Sequence, residues 1–364
     1  MKYKITVLST ILILLLVNLG QAQLFKEYEK ITKAYSVGPG MTVEVDNKYG
    51  KLHVVPWNKD SVRFDIEILT EGDSEEKMEK INDNIKIDFT ETSFYIVAKT
   101  DFGTKYSGFF GDIKELAESI SSSNREVEIN YIIYIPEYVD LKLTNKYGDI
   151  YSSNLKGNVN IQLSNGDLKL NNLSGNADIN VRFGDAVINS VNDARISLYF
   201  SELFLKKGKN LNFDTKSSKI TVEQSEILKI TSKRDKYYLQ QVKNIYGNSS
   251  FSDFWIYDIN KESNFTVKYG HFNMEYIQPE FSIINLTSKY SDINLFFDKK
   301  AAFNFDICYE DTELMIPAEN STVENKILEG DEKKKLSIGN IGSGKTNSVL
   351  KIASEEGSIN IFLK

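Results

Sequence analysis

Three stretches of the chain, LTNKYGDIYSSNL (143–155), IQLSNGDLKLNNL (161–173) and INVRFGDAVINSV (179–191), align without gaps eighteen residues apart. Following the small residue of each copy gives Gly148, Gly166, Gly184, Ser201, Ser218, Asp235, Ser252, Gly270 and Ser291, at steps of 17 to 21 residues. Looser copies centre on Gly50, Thr312 and Gly357. Self-similarity at a fixed short period constrains the fold more than any other feature here, because it demands a stack of equivalent units.

The residues around each small position say what the unit is. Two places after it stand Ile150, Leu168, Ala186, Leu203, Ile220 and their counterparts, all apolar or aromatic. The row four places after it is apolar apart from Ser152, and the row five places before it is apolar apart from Gly247. Apolar residues alternating with polar ones have the period of a strand with one buried face, whereas a helix would need spacings of three and four. A Gly, Ser or Asp at the bend is expected to supply the backbone freedom for it. Units of this kind cannot bury their apolar side alone, so they stack with equivalent strands paired about 4.8 Å apart. The expected fold is all-β, a right-handed β-solenoid or β-helix with rungs of 17–21 residues.

The N-terminus reads differently. Lys2 and Lys4 precede an apolar run from Ile5 to Leu19, followed by the small residues Gly20 and Ala22. This is the pattern of a secretory signal peptide over residues 1–22, and the run is short for a bilayer span of about 20 residues. Residues 23–130 are expected to form a strand-rich capping region with one or two short helices, near 74–85 and 112–121, ahead of solenoid repeats over 131–364. Asp73 with Glu76, and Asp112 with Glu115, are placed as helix-capping pairs.

Loss of Lys2 and Lys4 takes the formal charge from −7 to −9. Such an acidic chain is not expected to seek nucleic acid or anionic lipid; a basic ligand or a neutral glycan suits it better. Cys308 is the single cysteine, so no intrachain disulfide can form, and within FNFDICYED it reads as a small buried apolar residue.

VDNKYGKLHVVPW (45–57), VEINYIIYIPEYVDLKLTNKYGDI (127–150), the GD-centred repeats and IGSGKTNSVLKIASEEGSINIFL (341–363) together resemble the exported "putative adhesin" family, also called the domain-of-unknown-function 4097 family, common in Bacteroidetes-type bacteria. The resemblance covers most of the mature chain and implies an exported β-solenoid with an adhesin-like label. It brings no catalytic residues. The chain departs from the family pattern in the irregular stretch 236–262 and in EGDEKKK (329–335), where a loop is expected.

GNIGSGKT (339–346) fits the phosphate-loop pattern at every constrained position. A working phosphate loop opens a helix, whereas the residues that follow alternate like strands, so no nucleotide is expected to bind and the stretch reads as a turn before the last rung. Just before the small residue of each repeat runs a stripe of seven aromatics in twelve copies: Tyr49, Tyr147, Phe183, Phe200, Phe251, Tyr269 and Tyr290. It could form a ladder for sugar rings or a partner protein, yet it shares strand parity with the apolar row at −5 and is expected to point inward and pack the corner. Basic residues at −2 (Lys48, Lys146, Arg182, Lys216, Lys233, Lys268, Lys289) and acidic ones at +1 (Asp149, Asp167, Asp185, Glu202, Asp253, Asp292, Glu313) read as a solvated face. His53 and His271 belong to no cluster of metal-ligand type, and no catalytic, cofactor or metal residues are assigned.

The function expected is non-catalytic: an exported cell-envelope binding or scaffold protein, periplasmic or at the outer surface, whose solenoid faces engage a glycan or a protein. The alternatives are a carbohydrate-active β-helix enzyme and an envelope signalling accessory. An unprotected C-terminal rung ending at Lys364 would offer an edge for oligomerisation.

Overall fold

The structure, a computed structural model, describes residues 25–72, 74–102, 127–327, 333–343 and 346–364. The expected signal peptide, the helix near 112–121 and Asp73 lie outside the described residues.

From Asp140 onward the chain climbs as parallel rungs, each in register with the next. Val159–Ser164 pairs with Asp140–Lys146 and with Leu168–Arg182, and Leu168–Arg182 pairs with Asp185–Tyr199. The pattern continues through Glu202–Lys216, Lys219–Lys233, Lys236–Ser250 and Asp253–Lys268. The stretch 236–262 is therefore not irregular: its strands keep the register, with one shift between Val242 and Asn244. Its many polar letters fall at outward positions, while Tyr237, Leu239, Val242 and Ile245 point inward, fully buried.

Within a rung, inward and outward residues alternate except at three places where two neighbours both face out. In Glu202–Lys216 the breaks fall at Lys206–Lys207 and Lys209–Asn210, and the third follows at Lys216–Ser217. Each break is a bend, so the coil is three-sided. The axial rows are the ones the period-2 pattern marks out: Leu168, Ile188, Leu205 and Ile220 belong to a single hydrophobic core. Full burial of each such side chain is worth about 1.5–3 kcal/mol, and only a neighbouring rung can supply it.

The bend beside the small residue works by another route than backbone freedom at glycine. Positive φ occurs one residue earlier, from 44° at Asp311 to 66° at Tyr49, while Gly148, Gly166 and Gly184 have none. Glycine is required there for closeness: a Cβ on Gly184 would stand 1.9 Å from the carbonyl oxygen of Gly166, and one on Gly166 would stand 2.1 Å from that of Gly148.

The stack begins N-terminal to residue 131. Thr42–Lys48 and Leu52–Pro56 pair in parallel with Asp140–Lys146 and Ile150–Ser152, which makes the copy around Gly50 the first rung. Its outer edge is covered by Tyr95–Phe102 and Val127–Ile135. Antiparallel strands Ser61–Gly72 and Phe25–Ser36 extend that end. Phe25–Ser36 is studded with charge, and Lys26 and Lys30 pair with Glu71 and Glu67, a means of blunting a sheet edge. A helix spans Glu75–Asn82, with Met78 and Ile81 buried and the Ser74 carbonyl accepting the first bond from Met78 N–H.

At the other end the chain order and the spatial order diverge. Val349–Leu363 pairs in parallel with Ile283–Phe297 on one side and with Phe303–Met315 on the other. The C-terminal strand is thus an insertion between two earlier rungs, and the open terminal rung expected at Lys364 is instead flanked on both sides. The hairpin Ser321–Ile327 and Lys334–Ile341 extends the outermost rung antiparallel to Phe303–Met315, so Lys334 and Lys335 of the expected loop are strand residues. Gly339 lies in that hairpin, Gly342 turns at φ 80°, and the chain enters the Val349 strand with no helix between among the described residues. Thr346 donates its hydroxyl to the Ala302 carbonyl. Cys308 is half-buried, not buried, because Ile307 holds the inward position and the adjacent residue must face out.

Candidate functional site

The corner residue in the left-handed conformation decides where the aromatic stripe points. Alternation alone would send it inward with the row at −5. Positive φ reverses the side chain, and the inward place passes to the small residue after it: Ser218, Asp235 and Ser252 are buried. The rings point outward. Tyr147, Phe183, Phe200, Phe251, Tyr269 and Tyr290 are 40–56% exposed, and Tyr49 is half-buried.

Rungs hydrogen-bonded corner to corner set these residues in one column: Tyr49, Tyr147, Asn165, Phe183, Phe200, Ser217, Arg234, Phe251, Tyr269 and Tyr290. Three stacks form within it. Tyr49 and Tyr147 lie 5.5 Å apart, with Phe102 edge-on against Tyr49. Phe183 and Phe200 are 5.3 Å apart and within 4° of parallel. Phe251, Tyr269 and Tyr290 follow at 4.8 and 5.0 Å. Since the rings stack along the solenoid axis, their faces meet each other and their edges meet solvent. Lys48 sits 4.6 Å over the Tyr49 ring; burial, then the neighbouring Tyr147, pushes the Tyr49 phenol up to about 12.

The flanking charges do more than solvate a face. Asp149 Oδ1 accepts the backbone N–H of Asp167, and Asp167 Oδ1 that of Asp185, at 3.0 and 3.2 Å. The acidic column therefore supplies inter-rung bonds where the bend residue is glycine. Asp253 takes the His271 N–H and approaches its Nδ1 at 2.7 Å, and Asp292 lies 3.5 Å from its Nε2. In the basic column Lys289 pairs with Glu355.

A second feature escaped the reading of the sequence. Around the bend at Lys206–Lys207, two adjoining depressions of about 720 and 750 Å³ open, both bordered by Lys207, Gln224, Gln241 and Asp258. The available signal was Gly208 and Ser225, small residues in a row otherwise filled by Val191, Val242 and Ile259.

The Toastrack DUF4097 family model matches residues 57–362. The chain belongs to the Toastrack DUF4097 family. Several solved structures are similar to this Toastrack chain. A "putative cell adhesion protein" from Clostridium sporogenes shares 11% identity over 93% of this chain and 100% of its own, with a TM-score of 0.21. A "putative adhesin" from Parabacteroides merdae shares 11% over 73% and 93%, with a TM-score of 0.29. A "putative adhesin" from Bacteroides fragilis shares 10% over 92% and 97%, with a TM-score of 0.22. No curated protein matches the chain. Nothing in these matches points to an enzyme, and among the described residues no three His, Cys, Asp or Glu side chains are grouped to hold a metal.

Proposed function

We propose that this chain is a non-catalytic, exported binding and scaffold protein of the cell envelope, adhesin-like in role, which engages a partner protein along its aromatic corner column. Export rests on the N-terminal pattern of Lys2, Lys4, the apolar run and Ala22. The binding reading rests on one observation: a line of large aromatic rings, 40–56% exposed, at a position that holds them out of the core.

The backbone gives no reason for aromatics there. A left-handed corner suits Gly or Asn, and Asn165 occupies one. Stacking returns about 0.5–1.5 kcal/mol per pair, against roughly 1–2 kcal/mol of strain for each non-glycine residue in this conformation. Covering the exposed edges with a partner supplies the missing gain. A protein suits this surface better than a glycan: a sugar lies on a ring face, and here the faces are taken by neighbouring rings, whereas outward edges pack against apolar and aromatic side chains.

The test is binding of the purified chain to envelope preparations, with and without protease or glycosidase treatment. The expected result is binding that protease abolishes, and that a Phe183→Asn/Phe251→Asn/Tyr269→Asn variant loses at least tenfold while melting as a folded protein. Binding that the triple variant retains, or that only glycosidase removes, would overturn the reading.

A further inference from the structure

The aromatic column breaks for two consecutive rungs, and the acidic column beside it reverses sign in the same two. Ser217 and Arg234 stand between Phe200 and Phe251, and Lys219 and Lys236 stand in register between Glu202 and Asp253. Rung-to-rung packing makes the same demands throughout, so a coupled departure of two columns at one place signals something other than packing.

The geometry there is a slot. Phe183 covers one face of Phe200, which leaves the other turned along the axis towards Ser217. Two rungs on, the Arg234 guanidinium lies over the Phe251 ring, 5.9 Å from its centroid, so this wall is backed as well. With strands stepping about 4.8 Å, Phe200 and Arg234 stand roughly 10 Å apart, and a ring level with Ser217 would lie about 5 Å from each. The same column already stacks Phe251 on Tyr269 at 4.8 Å. Ser201, Ser217 and Ser218 keep the floor low, and with Phe200, Arg234 and Lys236 they border a depression of about 480 Å³.

Charge selects further. Glu202 neutralises Lys219 at 2.6 Å, whereas neither Arg234 nor Lys236 has an ion-pair partner among the described residues. Asp185 also lines the depression, so its two carboxylates and three cations leave one net positive charge, contributed on the Ser217 side by Arg234 and Lys236. That favours an anion held beside a flat ring.

We infer that the notch at Ser217 binds one planar aromatic ring with a carboxylate beside it, supplied by an aromatic residue of the partner protein that has an acidic group next to it. The ring enters between Phe200 and Arg234, and the carboxylate faces Arg234 and Lys236. In naming a protein as the source, the inference rests on the function proposed above; the slot itself does not.

The test uses the mature chain and three probes in ligand-observed NMR titrations: N-acetylphenylalanine, its neutral amide, and N-acetylcyclohexylalanine. N-acetylphenylalanine is expected to bind most tightly, with the amide weaker by about threefold, as for a solvent-exposed ion pair, and the non-planar analogue weaker again. Ser217→Phe should complete the aromatic column, keep or raise the melting temperature and abolish binding. Phe200→Asn, at a corner that tolerates Asn, should also abolish it, and this carries the test should the first variant fail to fold. Arg234→Asn should erase the preference for acid over amide. Equal binding of the cyclohexyl probe, or binding by Ser217→Phe and Phe200→Asn as tight as by the natural chain, overturns the inference. If the notch binds N-acetylphenylalanine and yet the stripe variant still adheres to envelopes, the partner reading fails while the slot stands.

Discussion

Asp235 reaches across one rung to accept the backbone N–H of Ser218 on its Oδ1 at 2.8 Å. Its Oδ2 takes the Thr215 and Ser232 hydroxyls at 2.6 and 2.7 Å and the Lys233 N–H at 2.9 Å. The neighbouring corners do the same job with one oxygen: Ser218 Oγ accepts Ser201 N–H, and Ser252 Oγ accepts Asp235 N–H. Asp235 is an ionisable version of a serine corner bond, buried beside Tyr237, whose phenol burial also pushes up.

The burial has a consequence for pH. Burial raises the Asp235 carboxyl above its usual 3.8, with the four hydrogen bonds opposing the shift. The folded chain thus takes up this proton more readily than the unfolded one. The stability so gained is complete below the unfolded pKa and is lost as pH rises through the folded value. Asp235→Ser should cost about 1–3 kcal/mol at pH 7 through lost bonds to buried donors, and the deficit should widen as pH falls from 7 towards 4. Urea midpoints at several pH values measure it. A deficit that narrows on acidification would mean that the hydrogen bonds, not burial, control the carboxyl.

Glycine at the corner is a steric requirement, and this separates positions that look alike on paper. Gly166→Ala should cost about 3 kcal/mol or more, since the new Cβ meets the Gly148 carbonyl oxygen at 2.1 Å and backbone must shift. Gly38→Ala meets nothing within 4 Å and should stay within about 0.5 kcal/mol of the natural chain. Denaturant unfolding of the two variants side by side checks the contrast.

The left-handed corner predicts an order among substitutions at Phe183, where φ is 56°. Asn adopts this region readily and β-branched residues do not, so Phe183→Val should be less stable than Phe183→Asn by about 1–2 kcal/mol, although Val is the more hydrophobic. An inward-facing residue would give the reverse order. The measurement therefore also checks the direction of the whole aromatic column.

Much of this fold was legible because the repeat carries it. Rows such as Leu170, Ile188 and Leu205 announce a buried strand face directly, and the structure pairs them rung to rung inside one core. The aromatic column was legible as a column and misread in direction: alternation holds only while φ stays negative, and nothing in a Tyr or Phe letter reports a left-handed backbone. The notch was hidden for a related reason, because tracing a repeat collects the residues that obey it, and Ser217, Arg234, Lys219 and Lys236 are those that do not. Strand order at the C-terminal end was beyond reach, since rungs that match each other in sequence can stack in either order.

That inserted strand yields a prediction about local stability. Leu350, Ile352, Ile359 and Ile361 are buried between Ile283–Phe297 and Phe303–Met315. In a solenoid each rung is held mainly by its neighbours, so damage should spread along the stack from the site and fade with distance. Ile352→Asp places a charge opposite Leu286 and Ile307, and burying it unpaired costs several kcal/mol. Amide hydrogen exchange should show Phe303–Met315 losing protection along with Val349–Leu363, while Asp185–Tyr199 and Glu202–Lys216 exchange as before. If Phe303–Met315 kept its protection, it would not depend on the inserted strand. A chain-order stack, in which Phe303–Met315 rests on Ile283–Phe297, would then be the better description of this end.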